Sequence, residues 1–204
     1  AVAMLLESGA AGFDALIAPG HVATVMGPEE WKFVPERHRI PAAIAGFTPE
    51  SLLAAMYSVL RQRQERSCFL DNCYTQVVRP GGNPTARRWL DATMKVVDAK
   101  WRGIGVIPAS GYALRDACGA HDARLQLTSY ADDSRKRVGE MPAGCDCARV
   151  VLGQIYPDQC RLYGAGCNPR SPVGPCMVSD EGACRIWWSG GVRQRRDVPE
   201  CSTG

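Results

Sequence analysis

IPAAIAGFTPESLLAAMYSVL, residues 40–60, sets the class of the fold. Its first part, Ile40 to Phe47, is a short unbroken apolar run, the pattern of a strand buried on both faces. It passes directly into Thr48-Pro49-Glu50. Threonine caps helix N-termini, proline suits the first helical position, where no N–H is needed, and an acid in the first turn complements the helix dipole. The helix so started carries Leu52, Leu53, Met56, Tyr57, Val59 and Leu60. That spacing makes one broad apolar stripe, expected to pack into the core and to contain no cofactor box. A buried strand feeding straight into a helix is the unit of an α/β layer with a largely parallel sheet.

Similar units stand on either side. FDALIAPG (13–20) reads as a short apolar strand ending in a Pro-Gly turn. YTQVV (74–78) alternates like a strand, and Asn83-Pro84 then caps a helix in which Ala86, Trp89, Leu90, Met94 and Val97 repeat at helical spacing. GIGVIP (103–108) reads as a further buried strand, with Ser110 as the candidate N-cap of a helix over SGYALRDAC (110–118). The first residues, AVAMLLESGAAGF, read as an amphipathic helix with Val2, Leu5 and Leu6 on one face. It begins with no initiator methionine and no capping residue, like a piece that starts inside a domain. An α/β region is therefore expected over 1–130, with sites in the loops at the C-terminal ends of its strands.

TSYADDSRKRVGEMPA (128–143) is polar and charged and reads as a connector. From Gly144 onward Cys, Gly and Pro are frequent, and no segment has enough periodic apolar residues for a core of its own; such a region needs a staple. A cysteine-rich domain is expected over 131–190, followed by a tail over 191–204.

Bulk composition narrows the function classes. Hydrophobic residues at 46% and charged residues at 22% are ordinary for a globular protein. A net charge of +3, unaccompanied by a recognition motif, argues against nucleic acid as a partner. The apolar stretches are too short to span a bilayer, so no membrane is expected, and the apolar N-terminus lacks the basic flank of a secretion signal. The expected setting is cytoplasmic and reducing. There, clustered cysteines are more often metal ligands or redox groups than structural disulfides.

Six of the ten cysteines lie between 145 and 184: Cys145, Cys147, Cys160, Cys167, Cys176 and Cys184. A zinc ribbon would show two C-x2-C pairs, and none is present. Six thiols exceed the four that one tetrahedral site uses; four can bind one cluster and leave two as a dithiol. Thiolates are the standard iron–sulfur ligands, and Gly144, Gly153, Gly164, Gly166, Gly174 and Gly182 would let backbone N–H groups approach closely. From chemistry alone an iron–sulfur ligand set, a zinc site and a disulfide framework all stand as readings.

CDCARVVLGQIYPDQCRLYGAGCNPRSPVGPCMVSDEGACRIWW (145–188) closely resembles the C-terminal region of the HypD hydrogenase expression/formation family. PGHVATVMG (19–27), DNCYTQVVRPGGN (71–83) and WRGIGVIPASGYALR (101–115) resemble further motifs of that family in the same order. The family's cluster pattern is C-x14-C-x6-C-x16-C, and Cys145, Cys160, Cys167 and Cys184 match each gap. The resemblance implies that these four ligate a [4Fe–4S] cluster, and that Cys147 and Cys176 are a redox pair beside it. It implies a role in [NiFe] hydrogenase maturation, as scaffold and electron-transfer component in assembling the Fe(CN)2CO group. The implied partners are a HypC-type chaperone and a HypE-type cyanide donor. A free-standing Fe–S/dithiol oxidoreductase and a structural zinc module for protein interaction are the alternatives.

Family members are longer at the N-terminus, where the CGxHxH-like, GPGCPVC and GFETT motifs belong; none occurs here. The chain resembles the C-terminal portion, and the missing N-terminal half, as a candidate separate chain, is a further implied partner. The Fe(CN)2CO iron would be held only with it. The family serine after PGHV is Ala23 here, its glutamate is Asp71 and its arginine is Gln76. Within the motifs, His21 is expected to face the iron-binding half, and Asn72, Tyr74 and Asn83 to line a site or serve as turn and cap residues. His38 and His121 are expected at the surface, and Trp187 and Trp188 as core packing near the cluster. Cys68, Cys73, Cys118 and Cys201 have no place in the family pattern; Cys118 is expected as a small buried hydrophobe.

Overall fold

The computed structural model describes residues 2–7, 9, 11–101, 103–127 and 141–195. The N-terminal helix, α1, spans Val2–Glu7. Small side chains then bring three strands together: β1 (Leu16–Pro19), β2 (Ala42–Ala45) and β3 (Leu70–Asn72). Two short helices, α2 (Gly20–Met26) and α3 (Phe33–His38), connect β1 to β2, and the longer α4 (Pro49–Gln64) connects β2 to β3. The strands form a parallel sheet in the order β1-β2-β3, with Leu16 opposite Ala42 and Ala42 opposite Leu70. All four residues of central β2 are buried. Successive residues of a strand face opposite sides. Ala43 and Ala45 accordingly pack on Ala55 and Val59 of α4, while Ile44 packs with Ala18, Val78 and Ala23 of α2. Both faces of the sheet are covered, as a parallel sheet requires. Two expected caps are in place: the Thr48 side chain accepts from the Ser51 N–H, and Asn83 accepts from the N–H groups of Thr85 and Ala86.

α4 meets the sheet with the face opposite to the one expected. Ser51, Ala55, Ser58, Val59 and Gln62 are buried, whereas Leu52, Leu53, Met56, Tyr57 and Leu60 are exposed, with Leu53 at 65% and Tyr57 at 68%. Of the predicted stripe only Val59 enters the core. Hydrogen bonds explain the choice. Gln62, 1% exposed, donates from Nε2 to the Ala42 carbonyl at 3.2 Å and accepts from the Phe69 N–H at 3.0 Å, bridging β2 to the start of β3. Ser58 donates to Asp71 at 2.6 Å, and Ser51 accepts from Gly46 N–H at 2.8 Å and donates to the Cys73 carbonyl at 3.0 Å. Rotating the leucines inward would break all of these bonds and leave buried groups unpaired.

Three other expectations are corrected. The third strand is Leu70–Asn72, and 74–78 is a turn in which the Val77 and Val78 N–H groups donate to the Tyr74 carbonyl. The next helix, α5 (Pro84–Thr93), ends before Met94 and Val97, which lie in β4 (Met94–Trp101). β4 pairs antiparallel with β5 (Gly105–Leu114) in a separate sheet. Ser110 is inside β5, donating to the Ile107 carbonyl and accepting from Trp101 Nε1; the expected helix over 110–118 is strand followed by a 3-10 turn, Asp116–His121. Two or three apolar residues at helical spacing also fit a half-exposed strand, and a cross-strand partner decided between the two.

After residue 141 come the short helices Cys147–Val151, Pro175–Val178 and Ala183–Ser189 and a 3-10 turn, Pro157–Gln159. The Gly12 N–H donates to the Leu152 carbonyl at 3.0 Å, tying this region to the segment that leads into β1. Most of the expected connector and of the expected tail, with Cys201, lies outside the described residues. Among the described residues no helix is long and apolar enough to cross a membrane.

Gln62→Ala is expected to destabilise the protein by about 2–4 kcal/mol, through lost hydrogen bonds and a cavity. Leu53→Ala is expected to stay within about 0.5 kcal/mol of wild type. Chemical denaturation of the two variants checks which face of α4 is the inner one.

Candidate functional site

Past residue 141 large apolar side chains are scarce, and cysteine fills the interior instead. Cys147, Cys160, Cys167, Cys176 and Cys184 are buried in one cluster with Val150, Tyr163 and Met177, and Cys145 packs against it half-buried. All six cysteines singled out in the sequence therefore meet. Short elements deliver them: Cys147 opens the helix Cys147–Val151, Cys160 follows the turn Pro157–Gln159, and Cys176 and Cys184 lie near the starts of the last two helices. The Val173 N–H donates to Cys167 Sγ at 3.3 Å. Glycine is required at 174, because any side chain there would collide with the sulfurs of Cys145 and Cys147.

The nine described cysteines are all free thiols. Four of them, Cys145, Cys147, Cys176 and Cys184, are within hydrogen-bonding reach of one another. Cys147 meets Cys145, Cys176 and Cys184, and Cys184 also meets Cys176. Burial pushes the Cys145 thiol up to about 12. The contact with Cys176 raises Cys147, contacts with Cys147 and Cys176 raise Cys184, and contacts with Cys147 and Cys184 lower Cys176. The first negative charge in this group is best held on Cys176. Cys147 and Cys176, expected as a pair, are in contact; Cys184, expected as a cluster ligand, touches both. Among the described residues no group of three or more His, Cys, Asp or Glu is arranged to hold a single metal ion. A buried, thiol-rich donor set of six nonetheless suits an iron–sulfur cluster chemically.

Sequence reading missed three buried neighbours of these thiols. Tyr163 donates its hydroxyl to the Val192 carbonyl at 2.6 Å, and burial pushes it up to about 12. Met177 is fully buried and Asp158 is 1% exposed. Their nearness in sequence to Cys160, Cys167 and Cys176 was the available signal. Trp187 and Trp188 pack against the cluster as expected, with ring contacts to Tyr156 and Tyr163.

A second group of motif residues lies at the C-terminal edge of the parallel sheet. β1 and β2 are each followed by a glycine, Gly20 and Gly46, and the ring of Tyr74 lies over both; a Cβ at Gly46 would come within 2.9 Å of that ring. His21 is exposed, 5.3 Å from the Phe47 ring centroid, and lines a cleft of about 710 Å³ with Trp31, Trp101 and Tyr112. Asn72 serves the turn, accepting from the Tyr74 N–H and donating to the Val78 carbonyl, and Asn83 serves as a cap. Ala23, where the family pattern has serine, is fully buried in an apolar cluster. Gln76 is exposed, His121 is exposed as expected, and His38 and Cys118 are half-buried, against the expectations for both.

Burial, with the Asp71 carboxylate beside it, pushes the Cys73 thiol up to about 11. A raised thiol pKa means a protonated, sluggish thiol at neutral pH. Alkylation at Cys73, followed by mass spectrometry, is therefore expected to keep rising roughly tenfold per pH unit from pH 8 to 10. Asp71→Asn is expected to make it faster at pH 8.

The profile of the HypD family, described as the hydrogenase formation hypA family, matches residues 1–191. The chain is 37% identical over 192 residues to the hydrogenase maturation factor HypD of Rhodobacter capsulatus, covering 93% of this chain and 50% of that protein. It is 35% identical over 189 residues to HypD of Escherichia coli, covering 90% and 48%. It is 35% identical over 176 residues to a putative hydrogenase expression/formation protein of Methanocaldococcus jannaschii, covering 86% and 48%. The chain thus spans about half the length of the curated relatives it matches. With a family match across nearly its whole length and its cysteines gathered into one buried group, the chain belongs to the HypD family.

Proposed function

We propose that this chain acts in hydrogenase maturation as the thiol-bearing part of a HypD-type factor. The observation that carries the reading is the gathering of six cysteines into one buried cluster, with Cys147 and Cys176 in contact. Cys145, Cys160, Cys167 and Cys184 would hold a [4Fe–4S] cluster, which when bound supplies electrons one at a time. The surrounding residues exclude water: Met177, Val150 and the two tryptophans wall off the sulfurs. Cys147 and Cys176 form the redox pair. On oxidation the two sulfurs join, and the one proton held by Cys147 leaves with two electrons. On reduction two electrons and one proton return; Cys176, lowered by its contacts with Cys147 and Cys184, holds the thiolate, and Cys147, which is raised, takes the proton. The Fe(CN)2CO group is the cargo, shared with a HypC-type chaperone and built with a HypE-type cyanide donor. Its iron would be held only together with the portion of the family's length that this chain does not span.

Anaerobic purification with metal and sulfide analysis tests the ligand set. About four irons and four labile sulfides per chain are expected, and Cys160→Ser is expected to lose them. One zinc per chain and no labile sulfide would overturn the cluster in favour of the zinc module.

Cys147→Ser and Cys176→Ser are expected to retain the iron and sulfide. Introduced at the equivalent positions of a full-length relative, they are expected to abolish hydrogenase maturation in a complementation assay. Full maturation by both variants would remove the redox pair from the mechanism.

A further inference from the structure

We propose that the outward face of α4 is an interface, and that its occupant is the half of the family's length that this chain does not span. The proposal rests on family membership and on the orientation of one helix, and is independent of which metal the cysteines hold.

α4 has two faces of different chemistry. The inner one is small and polar, Ser51, Ala55, Ser58 and Gln62, and is bonded to β2 and β3 along its length. The outer one carries Leu52, Leu53, Met56, Tyr57 and Leu60, which fall within less than half a turn of arc at 100° per residue. Phe47, 74% exposed, stands just before the helix. Leu53, Tyr57 and Leu60 are each about two-thirds exposed. Together these side chains present on the order of 600 Å² of apolar surface, at the upper end of what monomers leave open. One partner in a stable interface buries about 800 Å². The face therefore supplies most of what a stable contact needs.

A helix with hydrogen bonds on the sheet side and leucines on the other is built as a middle layer. Three lines favour the absent half over other occupants. The curated relatives are about twice as long as the matched region, so a family member carries a comparable amount of further chain beside this one. Where both halves share one polypeptide, the contact forms at high effective concentration and needs no separate partner. The face is also continuous with the strand-end loops, since Phe47 touches the His21 ring at 5.3 Å. A unit seated on α4 would reach His21 and the C-terminal edge of the sheet, placing that histidine at the seam between the halves.

The test mixes this chain with the half of the Rhodobacter capsulatus relative that lies outside the match, expressed as a separate chain. Assembly is read by light scattering on a sizing column and by titration. A one-to-one complex is expected. The Leu53→Glu/Tyr57→Glu variant is expected to weaken it tenfold or more, while keeping the circular dichroism and melting temperature of the free chain; Leu53→Met/Tyr57→Phe is expected to leave it intact. No complex, or a complex indifferent to the two charges, overturns the proposal. So does a dimer of this chain alone that the same two charges abolish, which would assign the face to a second copy. Because assembly is the readout, iron-loaded and metal-free protein are expected to behave alike.

Discussion

The α/β region is organised by the side-chain hydrogen bonds along the inner face of α4. Ser51 clamps the C-terminal ends of β2 and β3, and Gln62 clamps their N-terminal ends, with Ser58 on Asp71 between them. The central strand β2 carries three alanines and turns only Ala43 and Ala45 towards α4, so little apolar area is buried there and directional bonds take a larger share in orienting the helix. Once α4 is set this way its leucines must face outward. The exposed stripe is thus the geometric consequence of the polar seam.

The cysteine-rich region solves a different problem. Among the described residues its helices are four to seven residues long, too short to be stable alone, and its buried cluster holds one tyrosine, one methionine and one valine besides five cysteines. Buried thiols pack as small hydrophobes and also donate weak hydrogen bonds. The contacts among Cys145, Cys147, Cys176 and Cys184 make the members chemically unequal, with Cys176 lowered and the other three raised. Packing and reactivity come from the same atoms, so replacing any of these cysteines perturbs both.

Much of this was legible in the chain itself. Thr48 and Asn83 cap helices because their side chains act on backbone groups two or three residues away. β1 and β2 stand where apolar runs end at glycine, and the six clustered cysteines could be named from their spacing and the family motifs. What misled was periodicity. The leucines of α4 and the Met94–Val97 pair both obeyed helical spacing, yet the first are exposed and the second lie in a strand.

Local elements with strong end signals, the α/β class and the identity of the sulfur-bearing residues follow from the chain read as a string, because capping, turn chemistry and family motifs act over short stretches. Three features were settled only on folding: which face of α4 is inside, that β4 pairs antiparallel with β5, and that Cys184 touches the Cys147–Cys176 pair. Each of these is a choice among partners distant in the chain. Spacing shows which residues are apolar or thiol-bearing; only the assembled molecule shows what each one meets.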